Sequence, residues 1–470
     1  MARRSGGDEP GASLGWAGGA APPGPAPGGT LPDPLIPRSW AGAGGGKRPG
    51  VVPNDDPLTV PAGQHRVVWV DLFIRPSSPP GAYRGSVQVT GQPELEVEVE
   101  VGTTRLPYRA LGNMLFFEPS TIERHLGEAA IGRTVQRLHR HHIAPIVPLH
   151  SVEDVERFLP MLDGSLFTAA HGYVGPGEGV PTDVIVIGAY GSFGAPSPAK
   201  LQTVDAMLAR LELAGLYPET GGPDVFIYAV DEECDSPWGP MWRSSLDASD
   251  EPRLRRLRVG HTCSDTPAGQ PVDVAMVFAG AYDPASAAAA EAKGKTVWIY
   301  NGELPRTGSF LTDAWPLSLR INGWIQAHHD IGRWFYWEGA FWTDDNAGGL
   351  GPYDPWLGAE TFHNQHGDHA NGDGVLLYPG QQALEGGYQL AVDDVAPSFR
   401  LKQWRRGLQD GAYLKLARAR DERAAEAISA SLVEGAFTAS ERPAFPTGAA
   451  PYRKARGALF ALIESQRDSD

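Results

Sequence analysis

The spacing of apolar residues changes character along the chain. From residue 64 strands dominate: Val67-Val68-Trp69-Val70-Asp71-Leu72-Phe73-Ile74 reads as one strand, 76–81 as a turn, 83–89 as a second strand, and Leu95-Glu96-Val97-Glu98-Val99-Glu100-Val101 alternates strictly. Strict alternation gives one buried and one wet face, so 51–106 is expected to form a small β-sandwich, or part of one. After Pro107 the pattern becomes strand then helix, repeated. Expected strands are 111–117, 143–149, Val184–Ile187, 225–230, 257–261, Val274–Phe278, Thr296–Tyr300 and 334–337. Expected helices include 120–142, where Ile122, Leu126, Ala130, Ile131, Val135 and Leu138 recur at helical spacing. Another starts at Ser151-Val152-Glu153-Asp154, which has the shape of a capping box, and others cover 198–214, 284–293, 312–329 and 399–417. Eight alternating units are expected to close as an α/β fold of the (β/α)8 TIM-barrel type over 107–420. The flanks differ: 1–50 is Gly/Pro-rich and reads as disordered, and 421–470 as a helical carboxyl-terminal extension.

Within this frame 225–230 is an apolar run that leads without a break into Asp231-Glu232-Glu233-Cys234-Asp235. Such a run reads as a strand buried on both faces. Carboxylates clustered at its end are costly to hold unless they have a task, and barrels of this kind carry their active sites at the carboxyl ends of the strands. An acidic loop that solvates the strand end and caps the next helix is the plainer reading of the same residues.

Charge and composition narrow the classes. A formal net charge of -16 over 470 residues argues against nucleic acid or an anionic membrane surface as the main partner, because phosphate binding needs basic patches. No GxGxxG or GxxxxGK[ST] follows any expected strand, so nucleotide-binding folds lack their fingerprint. No apolar run approaches the roughly 18 residues of a spanning helix. Met1-Ala2-Arg3-Arg4 is basic, but 5–30 lacks an apolar segment, so no secretion signal is read in the chain as given; a secreted or periplasmic location would need a longer amino terminus. Cys234 and Cys263 are the only cysteines. They fit neither a zinc ribbon nor a disulfide framework, and both follow expected strands, which leaves their pairing open.

If the barrel forms, the residues just after each strand share one rim. In strand order these are Glu118, His150, Tyr190, Asp231 with Glu232, His261, Tyr282 with Asp283, Asn301 with Glu303, and Glu338. Carboxylates and aromatics without a metal-ligand motif suit glycoside hydrolysis, in which paired acids work beside a sugar and aromatic faces stack on it. Glu232, with its proton affinity raised by apolar surroundings, is the expected acid, and Asp231 the carboxylate that stays ionised beside it. Glu303 is the candidate for a separate nucleophile, with Glu338 behind it. Tyr190, Tyr300, Asn301, Trp337, Glu338 and Trp342 are the expected substrate contacts, with Trp337 and Trp342 as sugar platforms among the aromatic group 334–342. The insert His363-Asn364-Gln365-His366-Gly367-Asp368-His369 has metal-like spacing, but such a composition is more often plain turn sequence, so no metal and no cofactor is expected. His141-His142 ends a helix, where a cation is favourable, and carries no assigned chemistry. Arg400, Arg405 and Arg406 are expected in salt bridges.

Four blocks in order carry a resemblance. Phe335-Tyr336-Trp337, then Asn371-Gly372-Asp373-Gly374 followed by Leu377-Tyr378-Pro379-Gly380, then Pro397-Ser398-Phe399-Arg400-Leu401, then Arg405-Arg406-Gly407-Leu408-Gln409-Asp410-Gly411-Ala412-Tyr413-Leu414, resemble the carboxyl-terminal signature of barrel proteins termed domain of unknown function 4091, a set related to glycoside hydrolase family 123. Upstream, Pro32-Asp33-Pro34-Leu35-Ile36-Pro37 and Pro79-Pro80-Gly81-Ala82-Tyr83-Arg84-Gly85 resemble the β-sandwich that precedes such barrels, here shortened. The resemblance implies a β-N-acetylgalactosaminidase that uses an adjacent Asp-Glu pair after the fourth strand, matched here by Asp231-Glu232. In that scheme the substrate's acetamido oxygen attacks the anomeric carbon, the Asp orients it, and the Glu is acid and base. The alternatives are a glycan-binding barrel without catalysis, or a retaining glycosidase using Glu232 and Glu303. Oligomeric state, sugar and linkage are left open.

Overall fold

Eight short apolar runs supply one parallel sheet in the computed structural model, which describes residues 2–3, 30–31, 69–88, 91–264, 272–315, 317–342, 355–356, 360–363, 369–380, 394–440 and 445–465. The strands are β1 Gly112–Phe116, β2 Pro145–Ile146, β3 Val184–Ile187, β4 Asp224–Asp231, β5 Arg258–Cys263, β6 Val274–Phe278, β7 Thr296–Tyr300 and β8 Arg333–Tyr336. They pair in the order β2-β1-β8-β7-β6-β5-β4-β3. The outermost two, β2 and β3, meet through one parallel bridge between Leu149 and Ile187, where the Gly188 N–H donates to the Leu149 carbonyl at 2.8 Å. The expected (β/α)8 barrel is thus present, with one thin seam. β2 is shorter than the apolar run 143–149 because Pro145 and Pro148 have no N–H to give a ladder.

Alternation along the strands sorts the core into two layers. Met114, Phe116, Val184, Val186, Phe226, Tyr228, Met276, Trp298, Tyr300 and Phe335 form one buried cluster, the barrel interior. Their strand neighbours, such as Ile185, Ile187, Val225, Ile227, Val277 and Ile299, join the larger cluster beneath the helices. The amino-terminal end of the barrel is plugged by a cation. Arg333 donates to the Asn113 carbonyl at 3.0 Å, to Asp183 at 3.2 Å and to Asp224 at 3.0 Å, and so ties the beginnings of β1, β3, β4 and β8.

The helices follow from their caps. Ser151 accepts from the Asp154 N–H at 3.1 Å to start α3, Val152–Leu162, and Ser398 accepts from Leu401 N–H at 3.0 Å to start α9, Phe399–Arg418. α4 is Pro198–Leu213 and α7 is Pro284–Glu291, close to expectation, with α5 Trp238–Asp247 and α6 Pro252–Arg256 between them. The single helix expected over 120–142 is instead two, α1 Pro119–Leu126 and α2 Ala129–Arg140, because Gly127 takes a φ of 82° and turns the chain between them. The helix expected over 312–329 begins only at Arg320, as α8 Arg320–His328; the stretch before it is a loop in which Asn322 holds the Gly308 N–H at 2.7 Å. α10, Glu422–Val433, and α11, Ala449–Glu464, form the helical extension.

Ahead of the barrel, Gly81–Val87 and Leu95–Val101 pair as an antiparallel hairpin, which is what the described residues contain of the expected sandwich. The strand expected over 67–74 is a correction: 69–74 joins no ladder, and Val70, Leu72, Phe73 and Ile74 are exposed. Their apolar run lacks a strand partner. The segment lies on α9 instead, with Trp69 edge-on to Phe399 at 5.3 Å and Asp71 paired to Lys402 and Arg405. Most of 1–50 lies outside the described residues. Among those described, no helix is long and apolar enough to cross a membrane.

α8 and α9 cross on bare backbone. A Cβ on Gly323 would run into the Gly407 carbonyl, and one on Gly411 into Leu111 and the Gly323 carbonyl. Gly323→Ala should therefore lower the unfolding free energy by about 1–3 kcal/mol, the usual cost of overpacking. Urea denaturation at constant pH measures it; an unchanged midpoint would mean that the helices separate freely.

Candidate functional site

The carboxyl end of β4 departs from strand geometry in two steps. Phe226 and Tyr228 face the barrel interior, but the register with β5 shifts between Tyr228 and Val230, and Ala229 and Val230 both pack in the outer layer. One extra residue on the outside restores Asp231 to the inside, three positions after Tyr228, and the Tyr228 hydroxyl donates to Asp231 Oδ1 at 2.8 Å. Glu232 would next point outward. Its φ of 55° turns it back, into the left-handed region that few non-glycine residues adopt. There its N–H is held by the Thr262 carbonyl and the Thr262 hydroxyl, each at 3.1 Å, and its Oε1 accepts from the Tyr300 hydroxyl at 2.7 Å. Thr262 also donates to Asp231 Oδ1 at 2.8 Å, so one side chain of β5 fixes both members of the pair. Asp231 Oδ2 and Glu232 Oε2 have no hydrogen-bond partner among the described residues. A disulfide between Cys234 and Cys263, with Cα atoms 5.4 Å apart, joins the same turn to the end of β5 and answers the question of pairing.

Both carboxyls open to the mouth yet are crowded enough to lose hydration. Burial raises the Asp231 carboxyl, against the hydrogen bonds from Tyr228 and Thr262 that lower it, and Glu233 adds to the rise. Burial likewise raises Glu232; the Tyr300 hydroxyl opposes it, and the charges of Asp231 and Asp373 reinforce it. Burial and these carboxylates push Tyr228 and Tyr300 far up, so both phenols remain donors.

The other expected residues divide. Tyr190 and Asn301, at the ends of β3 and β7, share the left-handed backbone of Glu232, with φ of 48° and 54°. Tyr190 packs against Phe116 and Tyr228 at 5.1 and 5.6 Å between ring centres, and its hydroxyl donates to the Trp337 carbonyl. Asn301 braces β8: its backbone N–H donates to Phe335 at 2.8 Å, and its side-chain oxygen accepts from the Trp337 N–H at 3.4 Å. Trp337 is half-buried, with its ring edge held by Phe341 and Phe362 and its indole N–H donating to Asp373 Oδ1 at 3.0 Å.

Glu338 and Trp342 are corrections. Glu338 is 3% exposed and accepts from the N–H groups of Gly339 and Ala340, both at 2.8 Å. Burial lifts its carboxyl well above the usual range, against the backbone N–H groups that lower it, and the side chain ties a turn rather than meeting a ligand. Trp342 is fully buried and donates to the Leu377 carbonyl at 2.9 Å, which leaves no face for a sugar. Glu303 fills the space over Gly280 and lies near the charge of Arg306. His150 pairs with the Ser192 hydroxyl at 2.7 Å, and Asp283 caps α7 by accepting from Ser286 N–H at 2.7 Å. The insert at 364–368 lies outside the described residues; among those described, no group of His, Cys, Asp and Glu could hold a metal. Asp373 was not among the expected site residues. Its signal is an acid between two glycines in Asn371-Gly372-Asp373-Gly374, which forces a tight, inward-turned loop.

No family model matches this sequence, and no curated protein matches it. Among solved structures, the chain is similar to a family 123 glycoside hydrolase from Clostridium perfringens analysed for glycolipid glycan hydrolysis, with 12% identity over 83% of this chain and 76% of that chain and a TM-score of 0.55. At that identity the likeness speaks to the fold: the chain shares the barrel architecture of that enzyme.

Proposed function

We propose that the barrel mouth hydrolyses the glycosidic bond of a terminal N-acetylhexosamine, with retention and with help from the substrate's own acetamido group. The observation that carries this reading is the adjacent pair Asp231-Glu232, held by separate donors, so that each carboxylate keeps one oxygen without a partner among the described residues. The barrel likeness to a family 123 glycoside hydrolase and the blocks that resemble domain of unknown function 4091 support it.

In this reading Glu232, whose hold on its proton is raised by burial, gives that proton to the leaving oxygen while the acetamido carbonyl oxygen bonds to the anomeric carbon. Asp231 accepts from the acetamido N–H through its free oxygen and balances the positive charge that builds there. Glu232, now ionised, takes a proton from water as that water attacks the anomeric carbon and releases the acetamido group. Two inversions give net retention. Trp337 supplies an aromatic face, and Tyr190, Phe116, Tyr228, Tyr300 and Phe335 pave the floor. The reading with Glu303 as nucleophile is disfavoured by its place over Gly280 beside Arg306.

Glu232→Gln should cut kcat/KM on aryl β-glycosides of N-acetylgalactosamine or N-acetylglucosamine on the order of 10²- to 10⁴-fold. Equal turnover by both proteins would remove Glu232 as the acid, and sugar binding without any turnover would point to the glycan-binding alternative. Tyr300→Phe removes the donor that lowers Glu232, so Glu232 keeps its proton to higher pH. The alkaline limb of the pH profile should then move upward; a downward move would contradict this role for Tyr300.

A further inference from the structure

The indole of Trp337 is gripped along its outer edge by a turn that the chemistry above does not use. In Asn371-Gly372-Asp373-Gly374 both glycines are left-handed, with φ of 73° and 69°. A Cβ on Gly374 would lie 3.0 Å from Cζ2 of Trp337 and 2.7 Å from Cβ of Phe341, so the ring rests on backbone that tolerates no side chain. Asp373, 6% exposed, offers Oδ1 to the Tyr336 hydroxyl at 2.8 Å, the Trp337 indole at 3.0 Å and the Gly374 N–H at 3.1 Å. Arg400 of α9 donates to the Gly372 carbonyl at 2.6 Å and anchors the turn from behind.

A buried carboxylate is retained at a cost, and this one has what an ionised group needs: three donors on one oxygen and a guanidinium close by. We propose that Asp373 is a positioning residue of this site, which fixes the angle of the Trp337 platform through the indole N–H. The proposal rests on the reading of Trp337 as a sugar platform of the barrel mouth. Asp373 itself is raised by burial and lowered by Trp337, Tyr336 and the Gly374 N–H, with Arg400 contributing in the same sense.

Asp373→Asn keeps a carbonyl oxygen for the indole; Asp373→Ala removes it. Asp373→Ala should raise KM by about five- to tenfold for one lost hydrogen bond to the platform, with kcat little changed, and Asp373→Asn should stay near wild type. Binding is also read without turnover, as the Kd for free N-acetylgalactosamine or N-acetylglucosamine by quenching of tryptophan fluorescence, and should weaken in parallel. If Asp373→Ala does not fold, Trp337→Phe, which keeps a ring and lacks the indole N–H, replaces it. An unchanged KM and Kd in the folded variant would overturn the orienting role. Weakened sugar binding in a protein that cleaves no N-acetylhexosaminide supports the positioning role and fails only the hydrolase reading.

Discussion

Two adjacent residues on a strand face opposite sides, and the site depends on breaking that rule at one place. The extra residue at Ala229 returns Asp231 to the interior, and the left-handed backbone at Glu232 stops the next side chain from leaving it. Backbone of this kind costs about 1–3 kcal/mol per residue and persists only where the surroundings over-determine it. Thr262 supplies much of that determination: its carbonyl and hydroxyl hold the Glu232 N–H, and its hydroxyl holds Asp231. The disulfide of Cys234 and Cys263 adds a covalent tie next to the same contacts. The acid pair is therefore a property of β4 and β5 together.

The barrel was legible because its signals are local. Apolar runs bounded by Gly, Pro and polar residues mark buried strands, and serine caps mark helix starts; Val184–Ile187, Val274–Phe278 and Thr296–Tyr300 coincide with expectation to the residue. Failures arose where a partner decides the outcome. The run at 69–74 has strand composition, yet a strand needs a neighbour, and Asp71 is drawn instead to the cations of α9. A helical period carried 120–142 through Gly127, which breaks it.

The rim of strand ends was legible in position, and less so in what its side chains touch. Counting strands places Asp231-Glu232, Tyr190, Tyr300 and Trp337 at one rim, because the end of a strand can be read from where its apolar run stops. What a rim side chain touches cannot be read this way. Glu338 follows β8 as expected, but the chain turns at once and the carboxyl folds back on the N–H groups of Gly339 and Ala340. Trp342 lies beyond that turn, where the chain has re-entered the core. Asp373 reaches Trp337 from a loop far along the chain, a long-range approach of which its flanking glycines are the local trace.

The hydrogen bond from the Tyr190 hydroxyl to the Trp337 carbonyl gains importance from where it runs. Tyr190 follows β3, at one lip of the seam, and Trp337 follows β8, which β1 separates from the other lip. A barrel whose ladder is weakest between β2 and β3 would be expected to splay there first. This bond spans the opening and bypasses the weak ladder, so the rim behaves as a hoop even where the staves are barely joined. A ligand lying across that hoop would stiffen the same gap, and occupancy of the mouth would thereby register as slower opening of the β2–β3 seam.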